Sequence, residues 1–102
     1  MSVTKVIRYR AKPERADENE ALIKAVFAEL AERRPEGVRY GALRLDDRES
    51  FVHVVQVDRE PNPLLELAAF QAFQAEIGDR IAEGPYAGDA TVVGSYGVFD
   101  GS

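Results

Sequence analysis

His53 is the first residue of this sequence to consider as a source of chemistry. It is the only histidine, and its side chain is the only one whose unperturbed pKa lies near neutrality. In an apolar pocket it could act as a general base or donate a hydrogen bond. A buried structural histidine, or one at an interface between two chains, is the open alternative, because no acid lies at a short fixed spacing to orient it.

The other polar candidates are two tyrosines, an asparagine and an arginine. In a pocket, Tyr9 and Tyr40 would contact an aromatic ligand and donate hydrogen bonds, although core or interface packing is the usual role of such residues. Asn19 lies three residues before Leu22 and either borders the apolar stripe of the first helix or is exposed. Arg8 either holds an anionic substrate or is an edge-strand or interface charge.

Composition excludes several classes of function. The chain has 18 acidic and 13 basic residues and a net charge of -5, so it lacks the clustered basic surface that nucleic-acid binding needs. It has no cysteine, and one histidine among scattered acids does not have metal-ligand spacing. We therefore expect no metal site.

Hydrophobic periodicity indicates the elements that must position the candidates. Prolines and glycines separate strand-like from helix-like stretches, and a polar tract over residues 46–50 suits a hairpin. A glycine at 78 is expected to break or bend the second helix, and Gly84-Pro85 to end that region. The predicted strands are residues 3–10, 38–45, 51–57 and 90–99, and the predicted helices are residues 13–34 and 63–77.

This order predicts a ferredoxin-like βαββαβ fold of the α+β class, with a four-stranded antiparallel sheet and both helices on one face. The 102 residues suffice for one domain, 1–102. The N-terminus lacks the apolar run of a signal peptide, and no stretch is long enough to span a bilayer, so we expect a cytoplasmic protein.

Both faces of the third and fourth predicted strands are largely apolar. In the third strand, His53 shares one face with Phe51 and Val55, while Val52 and Val54 lie on the other. Two helices can cover only one face of a sheet, and soluble monomers rarely leave so large an apolar patch exposed. We therefore expect a homodimer formed sheet against sheet, with a monomer as the alternative.

Nearly the whole chain resembles the antibiotic-biosynthesis-monooxygenase-like family of the dimeric α+β barrel superfamily. The resemblance lies in VTKVIRYRAKP, FVHVVQV, NPLLELAAFQAFQAEI and ATVVGSYGVF, of which the Phe70-x-x-Phe73 pair is the most characteristic piece. It implies a dimeric barrel with a pocket between helices and sheet in each subunit. The haem-degrading branch is not matched, because the chain has no tryptophan and its histidine lies on a strand.

The resemblance implies that some members oxidise phenolic or anthrone-like substrates with O₂ and no metal or flavin. On that basis the candidate catalytic residue is His53. The candidate substrate-binding residues are Tyr9, Asn19, Tyr40, Phe70 and Phe73. Two hypotheses remain open: a cofactor-independent monooxygenase acting on an aromatic or quinol-type molecule, and a non-enzymatic homodimer that binds a small ligand or acts as an interaction module.

Overall fold

The computed structural model describes residues 2–98 as one four-stranded sheet packed against helices. The strands are β1 (Val3–Ala11), β2 (Val38–Arg44), β3 (Ser50–Val57) and β4 (Ile81–Ala90). The α-helices are α1 (Ala16–Arg33), α2 (Ala68–Ala75) and α3 (Ile77–Arg80), and short 3₁₀ segments span Pro13–Arg15 and Pro63–Glu66. The predicted order of elements is confirmed.

The sheet has the strand order β2-β3-β1-β4, and all neighbouring strands are antiparallel. Helices cover one face, where alternate residues of the central strands β1 and β3 form the core with the apolar stripes of the helices. This is the predicted ferredoxin-like α+β arrangement. Within residues 2–98, no helix is both long and apolar enough to cross a membrane.

The prediction for the last strand is wrong in position. β4 ends at Ala90, where the predicted strand begins, and residues 91–98 belong to no strand. Ala90 pairs with Thr4 near the beginning of β1, so β1 offers almost no backbone beyond this point. Residues 91–98 extend past the sheet, and Val93 and Tyr96 are 98% and 100% exposed. Phe99 lies outside the described residues.

The pair Gly84-Pro85 lies inside β4 and does not end the helical region as predicted. A proline is tolerated there because β4 is an edge strand, one side of which needs no hydrogen-bond partner within the sheet. The register between β1 and β4 shifts between Arg8 and Arg10, and Gly84 lies opposite this irregularity with a φ of +99°. Signals that usually end an element therefore mark a bulge here.

The second helix is divided into three pieces instead of running unbroken over residues 63–77. Asn62 caps the 3₁₀ segment as its sequence position suggests, accepting a hydrogen bond from the Leu64 backbone N–H at 2.9 Å. Leu67 and Glu76, which border α2, have non-helical backbone angles. The apolar face nevertheless survives the breaks, with Leu64, Leu67 and Phe73 almost fully buried.

Replacing Gly84 with alanine is expected to destabilise the protein. A Cβ atom at this position would lie 3.1 Å from the Arg8 backbone oxygen and 3.2 Å from Tyr9 Cα, at a φ that L-residues rarely adopt. We expect Gly84→Ala to lower the free energy of unfolding by at least about 1 kcal/mol, measured by urea denaturation. Gly78→Ala is the control, because a Cβ there meets nothing within 4 Å; equal loss in both variants would contradict the prediction.

Candidate active site

Strand register brings three polar side chains together on the helix-covered face of the sheet. His53 lies in the middle of β3, opposite Ile7 of β1 and Ala42 of β2. Tyr9 lies two residues beyond Ile7 and Tyr40 two residues before Ala42, so both share the face of His53. Because β1 and β2 run in the same direction, the two tyrosines flank the imidazole from opposite sides.

Each ring nitrogen of His53 is hydrogen-bonded to a tyrosine hydroxyl. The distance from Tyr9 Oη to Nε2 is 2.9 Å, and that from Tyr40 Oη to Nδ1 is 2.6 Å. His53 and Tyr9 are buried, at 4% and 3% exposure, whereas Tyr40 on the edge strand β2 is half-buried. The imidazole is therefore held in a fixed orientation between two hydroxyls.

Asn19 and Arg80 extend these bonds into a network that crosses to the helices. Asn19, fully buried in α1, donates from Nδ2 to Tyr9 Oη at 2.7 Å. Arg80, at the end of α3, donates from Nε to Asn19 Oδ1 at 3.1 Å and from Nη2 to the Phe73 carbonyl oxygen at 2.6 Å. A guanidinium only donates hydrogen bonds, so the Asn19 atom facing Arg80 must be the amide oxygen. The amide nitrogen of Asn19 then faces Tyr9, and Tyr9 Oη accepts its hydrogen bond.

Arg80 is a buried cation whose hydrogen-bond partners are neutral. It is 1% exposed, its guanidinium lies 5.3 Å from the centroid of the Phe73 ring, and within residues 2–98 it forms no ion pair. Burial lowers the pKa of Arg80, and the charge of Glu18 partly counteracts this effect. A buried cation without a bonded carboxylate favours negative charge in its surroundings.

Burial sets the protonation states of the network. It lowers the pKa of His53 to about 4, so the imidazole is neutral at pH 7. It raises the pKa of Tyr9 to about 12, although the hydrogen bond from Asn19 and the charge of Arg80 act in the opposite direction. Burial also raises the pKa of Tyr40, and both hydroxyls keep their protons at neutral pH.

Aromatic rings surround the imidazole. The ring centroids of Tyr9, Tyr40 and Phe73 lie 5.4, 5.7 and 5.6 Å from that of His53. Phe70 lies one layer further out, 6.2 Å from Phe73 between ring centroids, and is half-buried. The polar network is thus enclosed by flat apolar surfaces of the kind that bind aromatic molecules.

Side chains fill the space around His53. Of two surface cavities, one of about 70 Å³ lies beside Arg8 and Tyr86, and one of about 230 Å³ lies among the charged residues of α1 and the β2–β3 hairpin. Tyr9 lines the smaller cavity, whereas His53, Tyr40 and Asn19 line neither of the two. His53 and Asn19 are almost fully shielded from solvent in this conformation, at 4% and 0% exposure.

The structure brings together most of the residues singled out in the sequence. His53, Tyr9, Tyr40 and Asn19 form one network, Phe73 covers it and Phe70 lies behind Phe73. Arg8 does not join them: it lies on the opposite face of the sheet, with its guanidinium 5.7 Å from the centroid of the Tyr86 ring. No group of His, Cys, Asp and Glu side chains within residues 2–98 could hold a metal ion.

Sequence analysis missed Arg80. A usable signal exists, because Ile77 follows Phe73 by four residues and Arg80 follows Ile77 by three, so Arg80 continues the apolar stripe of the second helical region. Arginine usually lies on the surface, and this general expectation outweighs the spacing when the sequence is considered alone.

Comparison with known proteins shows that the fold is shared with antibiotic biosynthesis monooxygenases and related proteins. No protein-family model matches the chain, and no curated protein matches it in sequence. A protein from Bacteroides thetaiotaomicron, provisionally assigned as an antibiotic biosynthesis monooxygenase, superimposes with a TM-score of 0.77 at 17% identity, over 90% of each chain.

Two further solved structures give the same result. Rv0793 from Mycobacterium tuberculosis has a TM-score of 0.74 at 14% identity, covering 93% of this chain and 98% of its own. A variant of SnoaB, a cofactor-independent oxygenase from Streptomyces nogalater, has a TM-score of 0.65 at 22% identity, covering 92% of this chain and 95% of its own. The family resemblance expected from the sequence is confirmed at the level of the fold.

The lowered pKa of His53 predicts a pH-dependent stability. Because the folded-state pKa lies below the unfolded value, the unfolded chain binds a proton first as the pH falls. This stabilising contribution is present above pH 6.5 and is lost progressively towards pH 4, by up to about 3 kcal/mol. We expect urea denaturation between pH 7 and 4 to show a larger loss in the wild type than in His53→Gln, where carboxylates with lowered pKa values such as Glu20 still contribute; parallel curves for the two proteins would contradict it.

Proposed function

We propose that the protein is a small oxygenase that oxidises a phenolic or quinol-type aromatic substrate without a metal or flavin. The observation that carries the proposal is the neutral imidazole held between two tyrosine hydroxyls within aromatic surroundings. The shared fold with SnoaB, a cofactor-independent oxygenase, supports it. Since one fold hosts many activities, the chemistry of these side chains is the stronger support.

The reaction requires a group that moves protons and orients the substrate. In the oxidation of an activated methylene, R₂CH₂ + O₂ → R₂C=O + H₂O, the substrate supplies four electrons, and one oxygen atom leaves as water. His53 is the candidate group that takes a proton as the substrate is activated. Because its pKa is lowered to about 4, it holds that proton weakly and returns it to the reduced oxygen species.

Access to the imidazole requires movement of α2. The Phe73 ring lies against His53, and α2 carries Phe73 between two residues with non-helical backbone angles, Leu67 and Glu76. A displacement of this short helix would remove Phe73 from the imidazole and leave a flat space lined by Tyr9 and Tyr40. A planar aromatic substrate has the shape to replace the phenyl ring there.

Replacing His53 is the direct test of catalysis. With dithranol, a phenolic anthrone, as substrate, we expect oxygen uptake above the spontaneous rate in the wild type and a loss of about a hundredfold or more in His53→Gln, as for removal of a proton-transfer group. An oxygen electrode measures the rates, and circular dichroism verifies folding. Tyr96→Phe, which alters a fully exposed ring, should retain the wild-type rate. Equal rates for His53→Gln and the wild type would refute the role.

The filled space around His53 favours a second candidate, a non-enzymatic protein that binds a small apolar ligand or acts as an interaction module. Thermal unfolding combined with oxygen uptake separates the two. A bound ligand at 100-fold its dissociation constant stabilises by about 2.7 kcal/mol, whether or not it reacts. Stabilisation by quinols or anthrones without oxygen uptake would favour the binding protein.

We also propose that the protein is a homodimer in which the outer faces of two sheets meet. On this face, strand register places Val6 beside Val54, with Gly41 and Gly88 in the flanking strands at the same level. Leu43 on the same face is 42% exposed. Glycines keep the surface flat and allow another backbone to approach closely. Val92 and Val98, each more than half exposed, add further surface for a second copy to cover.

A charge in the centre of the outer face is expected to separate the dimer. Val54→Asp would bury a charged side chain in the apolar centre of the interface, so it should elute as a monomer in size-exclusion chromatography with light scattering, while the wild type elutes as a dimer. Ala25→Asp, on the exposed side of α1, is the control and should remain dimeric. A monomeric wild type, or a dimeric Val54→Asp, would refute this interface.

A further inference from the structure

The network around His53 contains one proton more than its hydrogen bonds use. Tyr9, Tyr40 and the neutral imidazole each carry one O–H or N–H proton. They share two hydrogen bonds, one at each ring nitrogen, and each of these bonds uses one proton. Asn19 donates a hydrogen bond to Tyr9 Oη, so it accepts none of the three protons of Tyr9, Tyr40 and the imidazole. One hydroxyl proton is therefore left without an acceptor among the described side chains, whichever tautomer His53 adopts.

Burial decides which hydroxyl carries this surplus proton. If Tyr9 carried it, a donor would be left unpaired at a 3% exposed position, where an unsatisfied polar group costs about 1–3 kcal/mol. In the other arrangement Tyr9 donates to Nε2, and Nδ1–H donates to the Tyr40 oxygen. Every hydrogen bond then runs in one direction, from Arg80 through Asn19 to Tyr40. The free O–H lies on Tyr40, which is half-buried on the edge strand β2.

We propose that the Tyr40 hydroxyl is the ligand-binding donor of the site and that it binds a carbonyl or phenolate oxygen of an aromatic ligand. A free donor beside the aromatic rings of His53 and Phe27 is complementary to an oxygen acceptor on a flat molecule, since Phe27 stacks on Tyr40 at 4.8 Å. Tyr9 is excluded from this role because its proton is already used. The aromatic nature of the ligand rests on the proposed function, whereas the donor follows from the proton count.

The charge of the network favours an oxyanion over a neutral oxygen. Among the described residues Arg80 has no ion-pair partner, and the hydrogen bonds from Arg80 to Tyr40 are all donated in the direction of the ligand. Hydrogen bonds to an ionised acceptor are roughly twice as strong as those between neutral groups. A phenol bound at Tyr40 is thus expected to ionise more readily than in water.

The test uses 4-nitrophenol, whose ionised form absorbs visible light, together with nitrobenzene, which lacks the phenolic oxygen. We expect the wild type to bind 4-nitrophenol and to shift it towards the phenolate in a spectrophotometric pH titration. Tyr40→Phe should weaken this binding by about tenfold or more and abolish the shift, because it removes a hydrogen bond to a charged oxygen. Nitrobenzene should bind the wild type and Tyr40→Phe equally.

Two further variants keep the result interpretable. Tyr9→Phe keeps the Tyr40 hydroxyl but removes the donor to Nε2 that directs Nδ1–H towards Tyr40, so it should reduce the phenolate shift without abolishing it. Tyr96→Phe should behave as the wild type. Absence of 4-nitrophenol binding to the wild type, or an unchanged shift in Tyr40→Phe, would overturn the inference. Oxygen uptake is measured separately. A Tyr40-dependent shift without oxygen uptake upholds the binding site and refutes the oxygenase. Oxygen uptake without the shift upholds the oxygenase and refutes the binding role of Tyr40.

Discussion

The interior of this protein is organised by the requirement that buried polar groups be hydrogen-bonded. Burying an imidazole, an amide and a guanidinium in one apolar layer is unfavourable unless each finds a partner. Here the partners are one another, and within residues 2–98 no buried side-chain nitrogen or oxygen is left without one. Because the members come from the sheet, α1 and the end of α3, the network also fixes how these elements pack together.

The buried hydrogen-bond network restricts the chemistry available to the site. A neutral histidine between two hydroxyls can relay a proton by accepting one at one ring nitrogen while releasing one from the other, whereas a charged histidine would be buried in the same layer as the Arg80 cation. The site is therefore better suited to relaying protons and supporting negative charge than to holding a permanent positive charge on the imidazole. The closed packing around Phe73 keeps water away from the imidazole, which strengthens every electrostatic interaction there.

Much of the fold follows from local pattern, because apolar spacing is a strong signal. Ile23 and Val26 recur at helical intervals in α1, and apolar residues alternate with His53 along β3, so the elements that carry His53 and Asn19 were predictable. Whether these two side chains point to the interior was left open by the sequence. The bonds between His53 and the two tyrosines were not, since they depend on the strand order and register. β4 was misplaced because Gly84-Pro85 resembles a terminator, and Arg80 was missed because burial of an arginine depends on partners distant in sequence.

The absence of tryptophan gives the site its own optical signature. Aromatic absorption above 270 nm comes mainly from four tyrosines, of which Tyr9 and Tyr40 are held rigidly in the network, while Tyr86 and Tyr96 are more than half exposed. Rigid asymmetric surroundings, not solvent-exposed rings, generate near-ultraviolet circular dichroism. The near-ultraviolet spectrum of the unmodified protein therefore reports chiefly on the two tyrosines beside His53, and any rearrangement of that layer is visible without an added label.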